Sequence, residues 1–425
     1  MHTPPPTFSE AFRFWLKLGF ISFGGPAGQI AIMHEELVEK RRWLSEERFL
    51  HALNYCMLLP GPEAQQLATY AGWLLHGTWG GIVAGALFVL PSALILWALS
   101  WAYVTFGSLP WMAAILYGLK PAVLAIVAAA IVRIGARVLK NPAMWALAVL
   151  AFAALFFANA PFPLIVLGAG VCGFFGGKFR PDWFVVLQSH GPTSPKPAGP
   201  PPTFARAAKV LAVGLVLWWA PILAAGAWLG WNGTLFREGV FFSKAAMVTF
   251  GGAYAVLPYV SQQAVEHYAW LTPGQMLDGL GLAETTPGPL IMVLQFTGFL
   301  GAWNHPGALP PLTAATLGAA ITTWSTFLPC FIWIFLGAPH IERLRENARL
   351  TAALSAITAA VVGVILNLAV WFGWHVFHPA VNRFDLVAAV IAVIAFVGIV
   401  RGKWNVIAVI GGCAIAGWLA HLVAS

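Results

Sequence analysis

Two Pro-Gly-Pro triplets, Pro60-Gly61-Pro62 and Pro287-Gly288-Pro289, and two double glycines, Gly24-Gly25 ahead of Pro26 and Gly251-Gly252, interrupt apolar stretches of this 425-residue chain. Proline at the first position of a helix loses only an N–H that would be unpaired there, and its φ is already helical, so each triplet predicts a half-helix starting at Pro62 or Pro289. The first N–H groups of such a helix have no acceptor within it and lie at the positive end of its dipole, which suits an oxyanion. Glycine at positions 24, 25, 61, 251, 252 and 288 would let that anion approach the backbone closely. Four such positive helix ends could converge near the middle of a bilayer.

Side chains near the breaks fit the same chemistry. Lys17 and Lys244 occupy equivalent places a few residues before each double glycine, inside apolar runs. An ammonium there costs about 2.5 to 3.5 kcal/mol on insertion scales, so its presence in both places suggests an anionic partner, the rival being a lysine that snorkels to the interface or pairs with a carboxylate. Ser22, Thr249, Gln65, Gln66, Thr285, Thr286 and Gln295 are neutral groups able to complete an oxyanion's shell, or to bind helices together. Glu63 and Glu284 flank the triplets and would repel an anion unless protonated or paired. Each is therefore a candidate coupling group that titrates with transport, although Glu63 can equally complement a helix dipole.

The breaks are duplicated. Residues 17–62 align without a gap on 244–289 (244 − 17 and 289 − 62 both give 227), pairing Ser22-Phe23-Gly24-Gly25 with Thr249-Phe250-Gly251-Gly252 and Trp43-Leu44-Ser45 with Trp270-Leu271-Thr272. Gly/Pro-interrupted hydrophobic segments in corresponding places of two halves point to the binding site of a secondary transporter.

The elements that must position these residues are membrane helices. The chain is 60% hydrophobic and 9% charged, against roughly 25% charged residues in soluble domains, with 21 Trp and a mean hydropathy of +0.79. Apolar runs at 80–106, 110–132, 144–158, 164–175, 210–228, 312–336, 350–372, 386–400 and 406–423 reach or approach the ~20 residues that span a bilayer. The expected fold is an all-α polytopic membrane protein of two inverted-topology repeats. Each repeat has two broken, re-entrant helix elements followed by four transmembrane helices, and one linking helix joins them. The boundaries follow as an N-terminal repeat at 1–180, a proline-rich cytoplasmic linker at 181–206, a linking helix at 207–230 and a C-terminal repeat at 231–425. A re-entrant reading gives nine spans; a reading in which every broken element crosses gives thirteen.

The net charge of +8 lies in short loops, as a topology signal rather than a nucleic-acid surface. Arg133, Arg137, Lys140, Lys178, Arg180, Lys196, Arg206, Lys209, Arg343, Arg345, Arg349, Arg401 and Lys403 fall on one side, read as cytoplasmic, with the N-terminus cytoplasmic and the C-terminus periplasmic. The first residues lack a charged region and cleavage site, so the first apolar segment is expected to persist in the mature protein. Cys56, Cys172, Cys330 and Cys413 are isolated and predict neither a metal site nor disulfides. No cofactor is expected, and there is no GxxxxGK[ST] pattern for ATP.

Phe23-Gly24-Gly25-Pro26, Trp43-Leu44, Leu58 through Ala68 with Gly72-Trp73, Thr249 through Tyr254 and Glu284 through Ile291 closely resemble the long-chain chromate ion transporters of bacteria, over essentially the whole chain. The resemblance implies two homologous halves of opposite orientation, usually described with thirteen spans, in the inner membrane. It implies export of chromate, with sulfate as competitor. A homodimer is compatible with this reading. The nearest rival is a sulfate or other oxyanion importer or exchanger. A more distant one is an intramembrane lipid-phosphate phosphatase, which would want an arginine and a nucleophile beside the breaks, and the sequence places no arginine near either triplet.

The re-entrant reading predicts that single cysteines placed between Gln262 and Gln275 react with an impermeant thiol reagent from outside the cell. Labelling of those positions only from the cytoplasm would require crossing helices instead.

Overall fold

A computed structural model describes residues 6–23, 25–186, 203–338, 348–379 and 384–424. Gly24, residues 187–202 of the expected linker, and Arg343 and Arg345 lie outside the described residues. Every regular element among the described residues is helical, as in a polytopic membrane protein. In chain order they are α1 (Phe8–Ile21), α2 (Gly25–His34), α3 (Glu46–Cys56), α4 (Glu63–Phe106), α5 (Pro110–Val138), α6 (Pro142–Ala158), α7 (Phe162–Phe179) and a single turn, α8 (Pro181–Phe184). They continue as α9 (Phe204–Leu229), α10 (Thr234–Met247), α11 (Ala253–Gln262), α12 (Pro273–Thr285), α13 (Val293–Asn304), α14 (Pro311–Gly337), α15 (Ala348–Phe377), α16 (Leu386–Val400) and α17 (Val406–Ala424). Six of them, α4, α5, α7, α9, α14 and α15, are long and apolar enough to cross a bilayer, and α6, α16 and α17 are shorter apolar helices.

The early segments reverse rather than run through. In α4, His76 (φ −138°) and Gly77 (φ +62°) turn the chain, and Gly72 packs directly on the Gly80 carbonyl, where any larger side chain would collide. Residues 63–75 and 78–106 are thus a helical hairpin. The start of α1 lies at this turn, with His76 Nε2 2.9 Å from the Pro6 carbonyl, and Gly19 packs against Leu87 of the second arm. After α2 the chain is back beside α1, because the Arg41 guanidinium stands 4.9 Å from the rings of both Phe14 and Trp43. The pairs α1/α2 and α3/residues 63–75 therefore both dip inward from one end of the molecule.

The second copy repeats these devices from the other end. The Thr234 hydroxyl at the start of α10 donates to the His305 carbonyl (2.9 Å), His305 Nε2 meets the Ala269 carbonyl (3.0 Å) and the Asn304 amide donates to the Trp270 carbonyl (2.8 Å). These contacts gather the outer ends of α10, α11, α12 and α13. The 26-residue α9 is about 39 Å long at 1.5 Å per residue and separates the two ends. It begins near Trp73, over whose ring the Arg206 guanidinium lies at 5.9 Å, and finishes just before α10.

Local geometry is copied at the same offset of 227. A π-helical turn follows α2 at Glu35–Lys40 and α11 at Gln263–His267, and Arg42 (φ +54°) and Ala269 (φ +51°) take the left-handed conformation that closes each. Ser45 and Thr272 then cap α3 and α12 by accepting the N–H of Arg48 and Gln275. Elsewhere small residues permit close helix packing, as where Gly118 and Gly417 bring α5 onto α17 and Gly363 brings α15 onto Ala148 of α6.

The tips of the opposed hairpins are joined by two reciprocal hydrogen bonds. Gly61 N–H donates to the Thr249 carbonyl and Gly288 N–H to the Ser22 carbonyl, each at 2.7 Å. Gly61 (φ +120°) and Gly288 (φ +104°) hold a conformation that costs other residues about 1–3 kcal/mol. A Cβ would also stand 2.6 Å from Cys330 Sγ at the first site and 2.6 Å from Ser92 Cβ at the second. Gly61→Ala and Gly288→Ala should each lower the unfolding temperature of the detergent-purified protein, whereas Gly168→Ala, a site with nothing within 4 Å of a Cβ, should not.

Candidate anion-binding site

The junction of the hairpin tips is built from the ends of α1 and α10 and the beginnings of α2, α4, α11 and α13. Ser22 and Thr249, both fully buried, finish α1 and α10 alike: their hydroxyls donate back to the Leu18 and Ala245 carbonyls (2.6 and 2.7 Å), and their own carbonyls take the glycine N–H of the opposite half. Thr285 and Thr286 at the end of α12 donate to the carbonyls of Leu282 and Ala283. Gly251 (φ +79°) and Gly252 (φ +94°) make the corresponding turn into α11, and Gly25 (φ +69°) that into α2, where Pro26 lies in the first turn.

The prolines sit one place earlier than expected. Pro62 and Pro289 are the residues just before the helical segments, and Glu63 and Leu290 begin them, the second through a 3₁₀ turn at Leu290–Met292. Pro60 and Pro287 precede the two glycines. The Gly61 and Gly288 N–H groups are already engaged across the repeats. The N–H groups of Glu63, Ala64 and Gln65 instead precede the first intrahelical bond of α4, which Gln66 makes to the Pro62 carbonyl at 3.1 Å.

The glutamines differ in their surroundings. Gln65 Nε2 donates to Thr69 Oγ1 (3.1 Å) and Gln66 Nε2 to the Pro60 carbonyl (2.7 Å), and the Oε1 atom of each is buried without a partner. Gln295 lies to one side as a brace: its amide donates to the Ala93 carbonyl of α4 (2.7 Å), and its Oε1 accepts from Thr323 of α14 (3.0 Å). Lys17 and Lys244 lie on the exposed faces of α1 and α10, Lys17 on a side shared with Phe12, Leu16 and Phe20 and opposite buried Trp15 and Leu18. That is the placement of a lysine whose stem lies along lipid.

Several contributors are not signalled by the sequence alone. Gln29 reaches from α2 to the Gly288 carbonyl (2.5 Å) and the Ser22 carbonyl (3.3 Å), so it braces one of the two cross-repeat bonds, and its Oε1 is left unpaired. The Tyr254 hydroxyl donates to Glu284 Oε1 at 2.6 Å. Arg133 of α5 lies within electrostatic reach of both Tyr254 and Glu284, and Arg137 within reach of Glu63. Arginines distant in sequence from both triplets thus stand near the acidic groups of the site, which corrects the expectation that none lies close. Ser92 of α4 packs on Gly288 and Cys330 of α14 on Gly61. A signal for this pair exists, since Leu90-Pro91-Ser92 and Leu328-Pro329-Cys330 repeat one another in the middle of two long helices.

A cleft of about 780 Å³ lies between α5, α6, α11 and α15, lined by Ser261, Gln262, Glu266, Asn159 and Asn367 among apolar residues. Helix α11 therefore leads from Gly252 at the junction to polar groups at the end where α10 begins. The arrangement offers backbone dipoles, amide groups and two carboxylate–arginine neighbourhoods in a buried setting. It suits binding of a small anion more readily than bond-breaking chemistry.

The model of the chromate transporter family matches residues 9–174 and 237–418, leaving out the stretch that holds all of α9. Chromate transport proteins of Pseudomonas aeruginosa and Cupriavidus metallidurans are 32% and 31% identical to the chain, over 98% and 86% of its length and 93% and 82% of theirs. A probable chromate transport protein of Synechococcus elongatus is 28% identical over 93% of the chain and 90% of its own length. No solved structure matches. With transport proteins as relatives throughout and a polytopic helical fold, the chain is a membrane transporter rather than an enzyme, and it belongs to the chromate transporter family.

Proposed function

We propose that this protein exports chromate across the bacterial inner membrane, taking the dianion at the junction of the opposed hairpin tips. The observation that supports this reading is the pair of reciprocal 2.7 Å bonds between Gly61 and Thr249 and between Gly288 and Ser22, each of which brings a helix break of one half against a break of the other. The anion is received by the free N–H groups at the start of α4 and by the amide groups of Gln65 and Gln66. Gly251, Gly252, Thr285 and Thr286 form the opposite wall, and Lys17 and Lys244 add positive potential from the lipid side. Arg133 and Arg137 turn from the carboxylates toward the incoming charge.

In this reading the repeats, 1–180 and 231–425, are inverted in the membrane, with nine crossings. The end carrying Lys40, Arg41, Arg42, Arg137 and Arg206 faces the cytoplasm by the excess of cations there, the N-terminus lies on that side and the C-terminus in the periplasm. The cleft along α11 then opens to the periplasm and serves as the exit. A cytoplasm-negative potential favours this direction by about 4.6 kcal/mol per 100 mV for a dianion, twice the value for one charge, equivalent to about three orders of magnitude in concentration.

Sulfate has the same shape and charge and is the expected competitor. In proteoliposomes with an imposed potential, chromate should leave the negative compartment faster than sulfate does. Sulfate uptake into that compartment that outpaces chromate efflux would reverse the assignment.

Glu63 and Glu284 border the seat, and the proposal makes their charge compete with the anion's. Glu63→Gln should flatten the pH dependence of apparent chromate affinity; an unaltered profile and rate would leave Glu63 as a helix cap.

A further inference from the structure

Glu238, on α10, has no place in the anion site. Its side chain is completely buried and neither carboxyl oxygen has a hydrogen-bond partner. The surrounding helices are cut back to admit it: a Cβ on Gly301 of α13 would stand 2.6 Å from Oε1, and one on Gly318 of α14 would stand 2.9 Å from Oε2. Trp270, which also packs on Gly301, helps close the chamber.

Among the described residues no cation faces this carboxyl. On its own helix, Arg237 and Lys244 are exposed. Helix α14 carries no Asp, Glu, Lys, Arg or His, and its one titratable residue, Cys330, lies 12 positions beyond Gly318. Helix α13 carries none, and His305 just after it is held by the Ala269 carbonyl. Helix α9 has only Arg206 and Lys209, at the far end. From α11, Tyr254 is bonded to Glu284 and Tyr259 stacks on Phe162, while in the turn that follows Glu266 lines the cleft, and His267 and Tyr268 pack ring against ring. A carboxylate without donor or cation in such surroundings is strongly disfavoured, whereas a carboxylic acid is tolerated.

A polar lane leads away from it. Thr322 and Ser325 follow Gly318 on one face of α14 and are likewise buried with hydroxyl oxygens unpartnered, and farther along Cys330 touches the Gly61 position. At 1.5 Å per residue, Gly318 and Cys330 are about 18 Å apart. Helix α10 ends at Met247, two residues before Thr249, whose carbonyl accepts the Gly61 N–H, so a displacement of α10 acts on the junction and on the Glu238 chamber together.

We propose that Glu238 is a proton-binding site, distinct from the anion seat, that holds its proton in this conformation and releases it to water when α10 moves, coupling proton movement to anion passage. The O–H bond breaks when water reaches the chamber and the carboxylate is reprotonated when the chamber closes. The position is single, since the residue at the same offset in the first half is Ala11. The proposal rests on the transporter reading.

The test uses purified protein in vesicles loaded with a pH-sensitive dye, with the potential clamped and a chromate gradient imposed. Wild type should show chromate-driven proton movement, and Glu238→Gln should carry chromate with proton movement reduced to the level of protein-free vesicles. A Glu238→Gln variant that moves protons with chromate as wild type does would overturn the site. Wild type that transports chromate without protons would do the same. Infrared spectra provide a measurement independent of the Glu238→Gln variant's folding: a protonated-carboxyl band present in wild type should persist in Glu63→Gln, Glu284→Gln and Asp278→Asn, and its absence would also overturn the proposal. Absence of any chromate flux in wild type would instead defeat the transporter reading, and the infrared band would still decide Glu238.

Discussion

A peptide N–H stranded inside an apolar medium must find an acceptor, and here two of them find it on the other half of the molecule. Breaking the helices at Gly61 and Gly288 frees backbone groups that lipid cannot satisfy, and the carbonyls of Thr249 and Ser22 satisfy them. Much else follows from that exchange. In the proposed inverted arrangement the hairpins enter from opposite ends, and α9 carries the chain from one end to the other between the copies. The glycines must adopt positive φ for their N–H groups to aim across, and the helices behind them must present Ser92 and Cys330, small enough to lie against the bare Cα.

The backbone of the two halves is alike, and the chemistry is not. The π turns, the left-handed residues, the caps and the crossed bonds all recur at one offset. At that same offset Gln29 faces Val256, Gln66 faces Val293, Glu63 faces Leu290, Tyr254 faces Ala27 and Glu284 faces Met57. A duplicated scaffold thus carries amides chiefly in the first half and an acid–hydroxyl pair in the second. Under the proposed function, an inverted arrangement of the halves would offer two ways to tilt about their contact, and this asymmetry would make the two states differ in charge and hydrogen bonding.

Electrostatics at the junction is mixed rather than simply positive. Helix-end dipoles favour an anion, Glu63 and Glu284 oppose one, and Arg137 and Arg133 stand behind those carboxylates. In the proposed reading, an arriving dianion would exchange one set of partners for another instead of filling a bare positive hole. That exchange limits the net gain on binding, and a solute that must also leave benefits from such balance.

The residues themselves determined a good deal. Composition placed the helices in a membrane, Gly and Pro marked where they break, and the self-similarity of 17–62 and 244–289 announced two copies. These are local properties, set by backbone sterics, turn chemistry and hydrophobic run length, and a linear string displays them. Tertiary structure alone decided which carbonyl meets the Gly61 N–H, that Arg133 and Arg137 stand by carboxylates more than 70 positions away, that Lys17 and Lys244 lie on exposed faces, and that Glu238 is enclosed between two glycines. Each of these depends on packing between segments distant in sequence, where burial and partnership are properties of the assembled neighbours and leave no periodicity in the chain that contributes them.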